Sequence, residues 1–350
     1  MREYKIAAIP GDGIGTEVIA AGLQALNVLA QRDGGFKLAV EHFPWSSEYY
    51  KKHGYYIPQG GLEKLKKFDA IFFGAVGAPD VPDHVSLWGL RLPICQGFDQ
   101  YANVRPARVL PGVTSPLAGG ERIDWVIIRE NSEGEYSGSG GRVHTGLPEE
   151  IATETSVFTR NGVERIHRFA FELAAKRPRK HLTLVTKSNA QRHGMVMWDQ
   201  IFYEVAEKYP QVETQRVLVD AITTQMVLKP YLLDTFVATN LHADILSDLA
   251  AALSGSLGIA PTANLNPERK FPSMFEPIHG SAFDITGKGI ANPIATFWTA
   301  SMMLEHLGEQ EASMRLMKAI EAVTAKKIHT PDLGGEATTE IVTTAVCDAL

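Results

Sequence analysis

Short apolar runs separated by helix-period segments recur along nearly the whole chain, and this alternation constrains the fold more than any other feature. "YKIAAIP" from Tyr4, "DAIFFGAV" from Asp69, "DWVIIRE" from Asp124, "HLTLVTK" from His181, "VETQRVLVD" from Val212 and "TFVATN" from Thr235 have strand length. Several are apolar on both faces, as strands buried on both sides must be. Between them Val18, Gly22, Ala25, Leu26 and Leu29, and again Ile166, Phe169, Ala170 and Leu173, fall at helical spacing. The pattern predicts an α/β chain with helices covering a largely parallel sheet. Residues 131 to 160 depart from it: "GEYSGSGGRVHTG" and "EEIATETSVFTRN" are Gly-rich and β-branched and predict an antiparallel arm, a shape suited to pairing with a second subunit.

With 350 residues, 45% of them hydrophobic, the chain can bury the cores of two domains. It contains no internal repeat or linker-like segment, so a second domain is expected to be embedded in the first. A net charge of -6 argues against nucleic acid as the main partner, because phosphate neutralisation needs clustered cations. The one dense basic patch, "AKRPRKH" ending at His181, reads as a solvated loop. Two cysteines far apart, Cys95 and Cys347, offer neither a disulfide framework nor zinc spacing and fit a reducing compartment. No stretch has the uncharged length of a membrane span and the opening "MREYKIAAIP" lacks a long apolar core, so a cytoplasmic location is expected.

The segment "NLHADILSDLAAAL" places Asp244 and Asp248 one helical turn apart among Ile245, Leu246, Leu249 and Leu253. An exposed like-charge pair costs only about 0.2–0.5 kcal/mol, but on a half-buried helix desolvation adds to it. A hard divalent cation, Mg2+ or Mn2+, would offset that cost; alternatively Asp244 caps the helix and Asp248 faces water. "GDGIG" (Gly11–Gly15) follows the first strand and opens a helix, where backbone N–H groups favour an anion. It lacks the G-x-G-x-x-G spacing, and a plain strand-to-helix turn is an equal reading. Arg91, Arg105 and Arg129 would bind an anionic substrate if they cluster, since guanidinium forks match carboxylates. Lys187, ending an apolar strand in "VTKSN", is a candidate base if a metal or arginine lies beside it, and Tyr136 a candidate proton donor.

Taken in order, "IPGDGIGTEV", "ANVRP", "RENSEGEYSG", "TKSN", "VDA", "NLHADILSDL" and "FEPIHGSAFDITGKGIANPIAT" resemble the β-decarboxylating dehydrogenases of 2-hydroxy acids, the isocitrate and isopropylmalate dehydrogenase family, from residue 5 to the C-terminus. "DHVSLWG" and "NPERKFPSMFEPIHGSA" look most like its tartrate and D-malate dehydrogenase branch. The resemblance implies an isopropylmalate dehydrogenase-like two-domain α/β fold with a large mixed sheet, not a Rossmann fold. A cofactor-side domain of residues 1–100 and 252–350 would hold a smaller domain of 101–251 with a dimerisation arm near 131–160. It implies a homodimer whose active sites are shared: Asp244 and Asp248 would bind Mg2+ or Mn2+, with Asp220 and the base Lys187 reaching over from the other subunit. Tyr136 would protonate the enolate and Arg91, Arg105 and Arg129 would hold the diacid. Glu276, His279, Gly280, Ser281 and Ala282 match the adenosine segment, Asp284 the ribose ligand and Asn292 the adenine side, while Phe72–Pro79 would line the nicotinamide. A carboxylate at Asp284 would repel a 2′-phosphate, which favours NAD over NADP; a monovalent cation such as K+ is a further ion the resemblance allows.

One position departs from the family motif. Ten residues before the arginine of "ANVRP" an arginine is expected and Cys95 stands there. Arg91 lies one helical turn earlier and is expected to replace the lost guanidinium in part, with Pro93 between them disturbing the turn. Rival readings are an isopropylmalate or isocitrate dehydrogenase, a noncatalytic regulatory subunit and a metal-dependent hydrolase. Lys187, Tyr136 and the three aspartates argue against the noncatalytic subunit, and the branch motifs imply an NAD-dependent decarboxylating dehydrogenase acting on D-malate or tartrate.

Overall fold

The computed structural model describes residues 1–350, apart from the side chain of Glu121. Two compact units emerge. One comprises Met1–Gln100, Arg108–Glu121 and Ala251–Leu350, the other Tyr101–Ala107 and Arg122–Ala250. In chain order the strands are β1 (Arg2–Gly11), β2 (Phe36–His42), β3 (Ala70–Ala75), β4 (Ala102–Arg108), β5 (Asp124–Glu130), β6 (Gly134–Val143), β7 (Ile151–Val157), β8 (His181–Thr186), β9 (Glu213–Leu218), β10 (Thr235–Ala238), β11 (Pro261–Leu265) and β12 (Ser273–Pro277). The first unit orders its strands β2-β1-β3-β12-β11, parallel apart from the antiparallel β11·β12 pair. The second orders them β4-β5-β10-β8-β9, with β5·β10, β10·β8 and β8·β9 parallel. The mixed α/β layout expected from the alternation is present, and both units need helices because their central strands are apolar on both faces.

In β3 every residue is buried. Helix Gly15–Asp33 reaches it because Gly22 has no side chain: a Cβ there would stand 2.8 Å from the Phe72 ring and 2.8 Å from Thr296 of helix Ile294–Leu307. Each fully buried Phe of this layer contributes about 1.5–3 kcal/mol relative to exposure. In the second unit, helices Arg160–Lys176 and Gly194–Ala206 bring Phe171, Trp198 and Phe202 into the core.

Several details differ from the sequence expectations. "VETQRVLVD" is strand only to Leu218; helix Val219–Leu228 begins next and sets Asp220 in its first turn, where a carboxylate suits the positive end of the helix dipole. Strands β2, β4, β11 and β12 do not read as apolar runs, since β2 has alternating exposure and the others are interrupted by Asn103 and Arg105, by Asn264 and by Glu276. "AKRPRKH" is more than a solvated loop: Arg177 pairs with buried Asp234 at 2.8 Å, and Arg179 donates to the carbonyls of Leu232 and Leu233. Residues 134–157 form the β6·β7 antiparallel hairpin, with Val143 opposite Ile151 and every residue of β7 exposed. Among the described residues no helix is long and apolar enough to cross a membrane.

Candidate active site

In the second unit the paired aspartates lie on helix Asn240–Leu253. Neither of them caps it: Glu135 of β6 accepts from the Leu241 N–H at 3.2 Å and from the Thr239 hydroxyl at 2.7 Å, closing the helix start from outside. Asp244 instead becomes the point on which the surrounding side chains converge. Arg129, 2% exposed, and Arg105 both pair with its Oδ1, the latter at 3.2 Å, and the Tyr136 hydroxyl donates to Oδ2 at 3.0 Å. The Arg129 guanidinium also lies over the Tyr136 ring, 5.3 Å from its centre.

Long-range contacts fix these side chains. Arg129 Nε donates to Asn240 Oδ1 at 2.8 Å, and Arg105 donates to Asn103 Oδ1 at 2.8 Å and Ser247 Oγ at 2.5 Å. Buried Glu130, beside Arg129, accepts from the backbone of Ser132 and Glu133 and so holds the turn that leads to Tyr136; burial pushes its carboxyl up to about 7. The Tyr136 phenol is raised first by burial and then by negative Asp244, so it carries its proton at neutral pH. Sequence reasoning missed Asn103, Glu135, Asn240 and Ser247, because the contacts that give Glu135, Asn240 and Ser247 their supporting roles join segments more than a hundred residues apart.

Asp248 lies one turn beyond Asp244, with no hydrogen-bond or ion-pair partner among the described residues. Partial desolvation raises its carboxyl above the usual range, Arg105 opposes the shift, and Asp244 adds to it. Two carboxylates from one helix face, one of them uncompensated, are the hard oxygen donors that Mg2+ or Mn2+ requires. Asp220 does not join them within one chain. It pairs with Lys187, which holds its carboxyl below the usual range, and no group of three His, Cys or acidic side chains suited to a metal forms among the described residues. Lys187 follows β8 in a turn clamped by Ser188 and Arg216, both bonded to Asp199 at 2.6 and 2.7 Å.

The first unit carries the other predicted residues. "GDGIG" proves to be a scaffold: the N–H groups of Asp12 and Ile14 are taken by Ala75 O at 2.9 Å and Ser281 O at 2.8 Å, which leaves neither for an anion. Gly13 is required there, with φ of 56° and room for no Cβ beside the Ser281 carbonyl. Asp12 ties the turn to Ser47 and Gly77. The motif thus positions the loop from His279 to Asp284, in which Ala282 has φ of 41°. On that loop Gly280 has no atom within 4 Å of where a Cβ would stand, the buried His279 Nε2 has no partner, and the exposed Asp284 carboxylate has none among the described residues. An open, partly unsatisfied loop of this kind fits a nucleotide. Asn292 is already engaged, donating to Asp332 at 3.0 Å and accepting from Ile294 N–H at 3.0 Å; Asp332 is a neighbour that sequence reasoning missed.

Arg91 also belongs to this unit. Its Nε and Nη2 meet Glu276 Oε1 at 2.8 and 2.7 Å, and Nη2 meets Asn264 Oδ1 at 3.3 Å. Cys95 is 1% exposed within an apolar cluster that includes Ile94, Phe98 and Phe73. Position 95 therefore faces a packed core.

Two α/β units, with two arginines and a phenol gathered on Asp244 of one helix, are the setting in which comparisons with known proteins place the chain. The model of the isocitrate/isopropylmalate dehydrogenase family matches residues 5–350, and the chain belongs to that family. A probable tartrate dehydrogenase/decarboxylase of Agrobacterium vitis is 72% identical over 352 residues, spanning 100% of this chain and 98% of the relative. The decarboxylating D-malate dehydrogenase of Escherichia coli (strain K12) is 52% identical over 356 residues, spanning 99% of this chain and 98% of the relative. Among solved structures, isocitrate dehydrogenase from Methylococcus capsulatus superposes with a TM-score of 0.89 at 34% identity, covering 99% of each chain.

Proposed function

We propose that this protein oxidises D-malate or tartrate with NAD, in a metal-dependent reaction that ends in loss of the β-carboxylate. The observation that carries the reading is the gathering of Arg105, Arg129 and Tyr136 on Asp244. The higher identity to tartrate and D-malate enzymes than to an isocitrate enzyme supports the choice of diacid.

Arg105 and Arg129 bind the substrate carboxylate with their guanidinium forks, and their own anchors on Asn103, Ser247 and Asn240 orient them beforehand. Asp244 and Asp248 hold Mg2+ or Mn2+ with Asp220 of the partner subunit, in a homodimer paired through the exposed β6·β7 arm. Such an ion would supply Lewis-acid polarisation of the substrate hydroxyl, and NAD seated on the 279–284 loop would supply the hydride acceptor. Lys187 accepts the C2 hydroxyl proton at Nζ. After the β-carboxylate leaves as CO2, Tyr136 gives its Oη proton to the enolate carbon. The loop 279–284 seats the dinucleotide, and the unpartnered carboxylate of Asp284 favours the ribose diol of NAD over a 2′-phosphate. Arg91 keeps a proposed part as a third anchor in place of the guanidinium absent at Cys95, although Glu276 and Asn264 engage it. Cys95 and Cys347, buried and in no disulfide, accord with a cytoplasmic setting.

The test is NADH absorbance and CO2 release on mixing the protein with NAD, Mn2+ and a panel of 2-hydroxy diacids. NADH with D-malate or tartrate, accompanied by CO2, is expected. No NADH with any diacid, or turnover confined to isopropylmalate or isocitrate, contradicts the assignment.

A further inference from the structure

The strands β1, β3 and β12 run parallel, and the loops 11–15, 75–79 and 277–284 all follow their carboxyl ends. A separate cavity of about 270 Å³ opens at their amino ends, between Tyr4 of β1, Phe68 and Asp69 before β3, Phe271 and Pro272 before β12, and His306. From Tyr4 to Gly11 the chain is extended, which puts the cavity roughly 20 Å from the GDGIG turn at about 3.3 Å per residue. Ligands of open α/β sheets normally occupy the carboxyl ends of the strands, so this cavity is no extension of the dinucleotide loop.

Its charge is lopsided. Lys66, Arg269 and Lys270 face it, against one carboxylate, Asp69. Asp69 turns an oxygen to the Lys5 backbone N–H at 2.7 Å, and Lys66 is paired at the surface with Glu63 at 2.6 Å. Neither Arg269 nor Lys270 has an ion-pair partner among the described residues. The loop that carries them is built firmly: Asn266, 2% exposed, accepts from the Lys270 N–H at 2.8 Å and the Phe271 N–H at 3.3 Å, and donates to Asp99 O at 3.0 Å. Arg269 is held there with φ of 54°, a conformation that a non-glycine residue adopts only when its surroundings impose it. Burial and the Arg269 charge push His306 down to about 4, so at neutral pH it is an uncharged hydrogen-bonding wall.

We propose that this cavity is a binding site for a compact polyanion, a phosphate ester or a polycarboxylate, held by Arg269 and Lys270 against the apolar wall of Phe68 and Phe271. Its volume lies just below the usual range for small-molecule sites, about 300–1,000 Å³, which suits a small anion and excludes a dinucleotide. Two uncompensated cations on a rigid loop are an anion receptor whose affinity must fall with salt.

Isothermal titration of inorganic pyrophosphate, and separately of citrate, into the full-length protein in EDTA-containing buffer tests the site. A binding event with Kd below about 1 mM that Arg269→Glu/Lys270→Glu weakens about tenfold or more is expected for at least one of the two anions, apart from any citrate bound at Arg105 and Arg129, which the variants leave unchanged. Preference for pyrophosphate identifies a phosphate ligand and preference for citrate a carboxylate. The milder Lys270→Gln, expected to weaken binding in part, serves should the double variant misfold. NADH production with the diacid substrate is expected to be the same in all variants without added anion. No binding of either anion up to about 10 mM, or binding of equal strength in the variants, overturns the proposal. Neither outcome bears on the dehydrogenase reading, whose residues are different.

Discussion

At the scale of single residues, each side chain is defined by the group it serves. Tyr136 donates to Asp244 and keeps its proton at neutral pH, which suits a donor to the enolate rather than a base. Tyr136→Phe is expected to slow enol protonation by about 100-fold or more, in the range of a lost general acid, while NADH formation in a single turnover falls much less. Rapid-quench comparison of the two half-reactions checks this, and equal losses contradict it. Arg91 makes a different prediction because its partner is buried. Removing one member of such a pair leaves an uncompensated charge and costs about 3–5 kcal/mol, whereas removing both costs less. Arg91→Ala should therefore lower the urea midpoint more than Arg91→Ala/Glu276→Ala does. A raised KM for the diacid in Arg91→Ala would add the anchoring role, and an unchanged KM would remove it.

At the scale of elements, helix Arg160–Lys176 carries a titrating liability in the core of the second unit. Both ring nitrogens of His167 are buried without partners, its ring meets Trp198 edge-on at 4.4 Å, and burial lowers it to about 3. The native form stays neutral down to that pH while the unfolded chain takes up a proton near 6.5. Stability is thus full above pH 6.5 and is lost as pH falls toward 3, by at most about 1.4 kcal/mol per pH unit from this group. Urea midpoints at pH 7 and pH 4.5 should drop further for the wild type than for His167→Leu; parallel drops would show that His167 is not responsible. The elements also show what a sequence discloses. Asp244 and Asp248 were legible because helical spacing is local, and Arg105 and Arg129 because they sit in recognisable motifs. Glu135, which caps their helix, lies more than a hundred residues away in sequence, and the Arg91–Glu276 pair spans 185 residues. The competing claims on "GDGIG" and Asn292 were equally hidden, since the carbonyls and carboxylate that engage them belong to remote loops.

At the scale of the whole molecule, one chain does not complete the proposed metal site: Asp220 pairs with Lys187, while Asp244 and Asp248 stand on another helix with the arginines and Tyr136. On the proposed function, completion would fall to a twofold assembly in which each protomer lends Asp220 and Lys187 to the other. The direct measurement is subunit complementation. Asp220→Asn and Asp244→Asn homodimers should each be inactive, yet after dissociation and reassembly together they should regain about a quarter of wild-type NADH production, because half of the dimers are mixed and each has one intact site. Mixing that restores nothing, although mixed dimers are shown to form, would contradict a shared site.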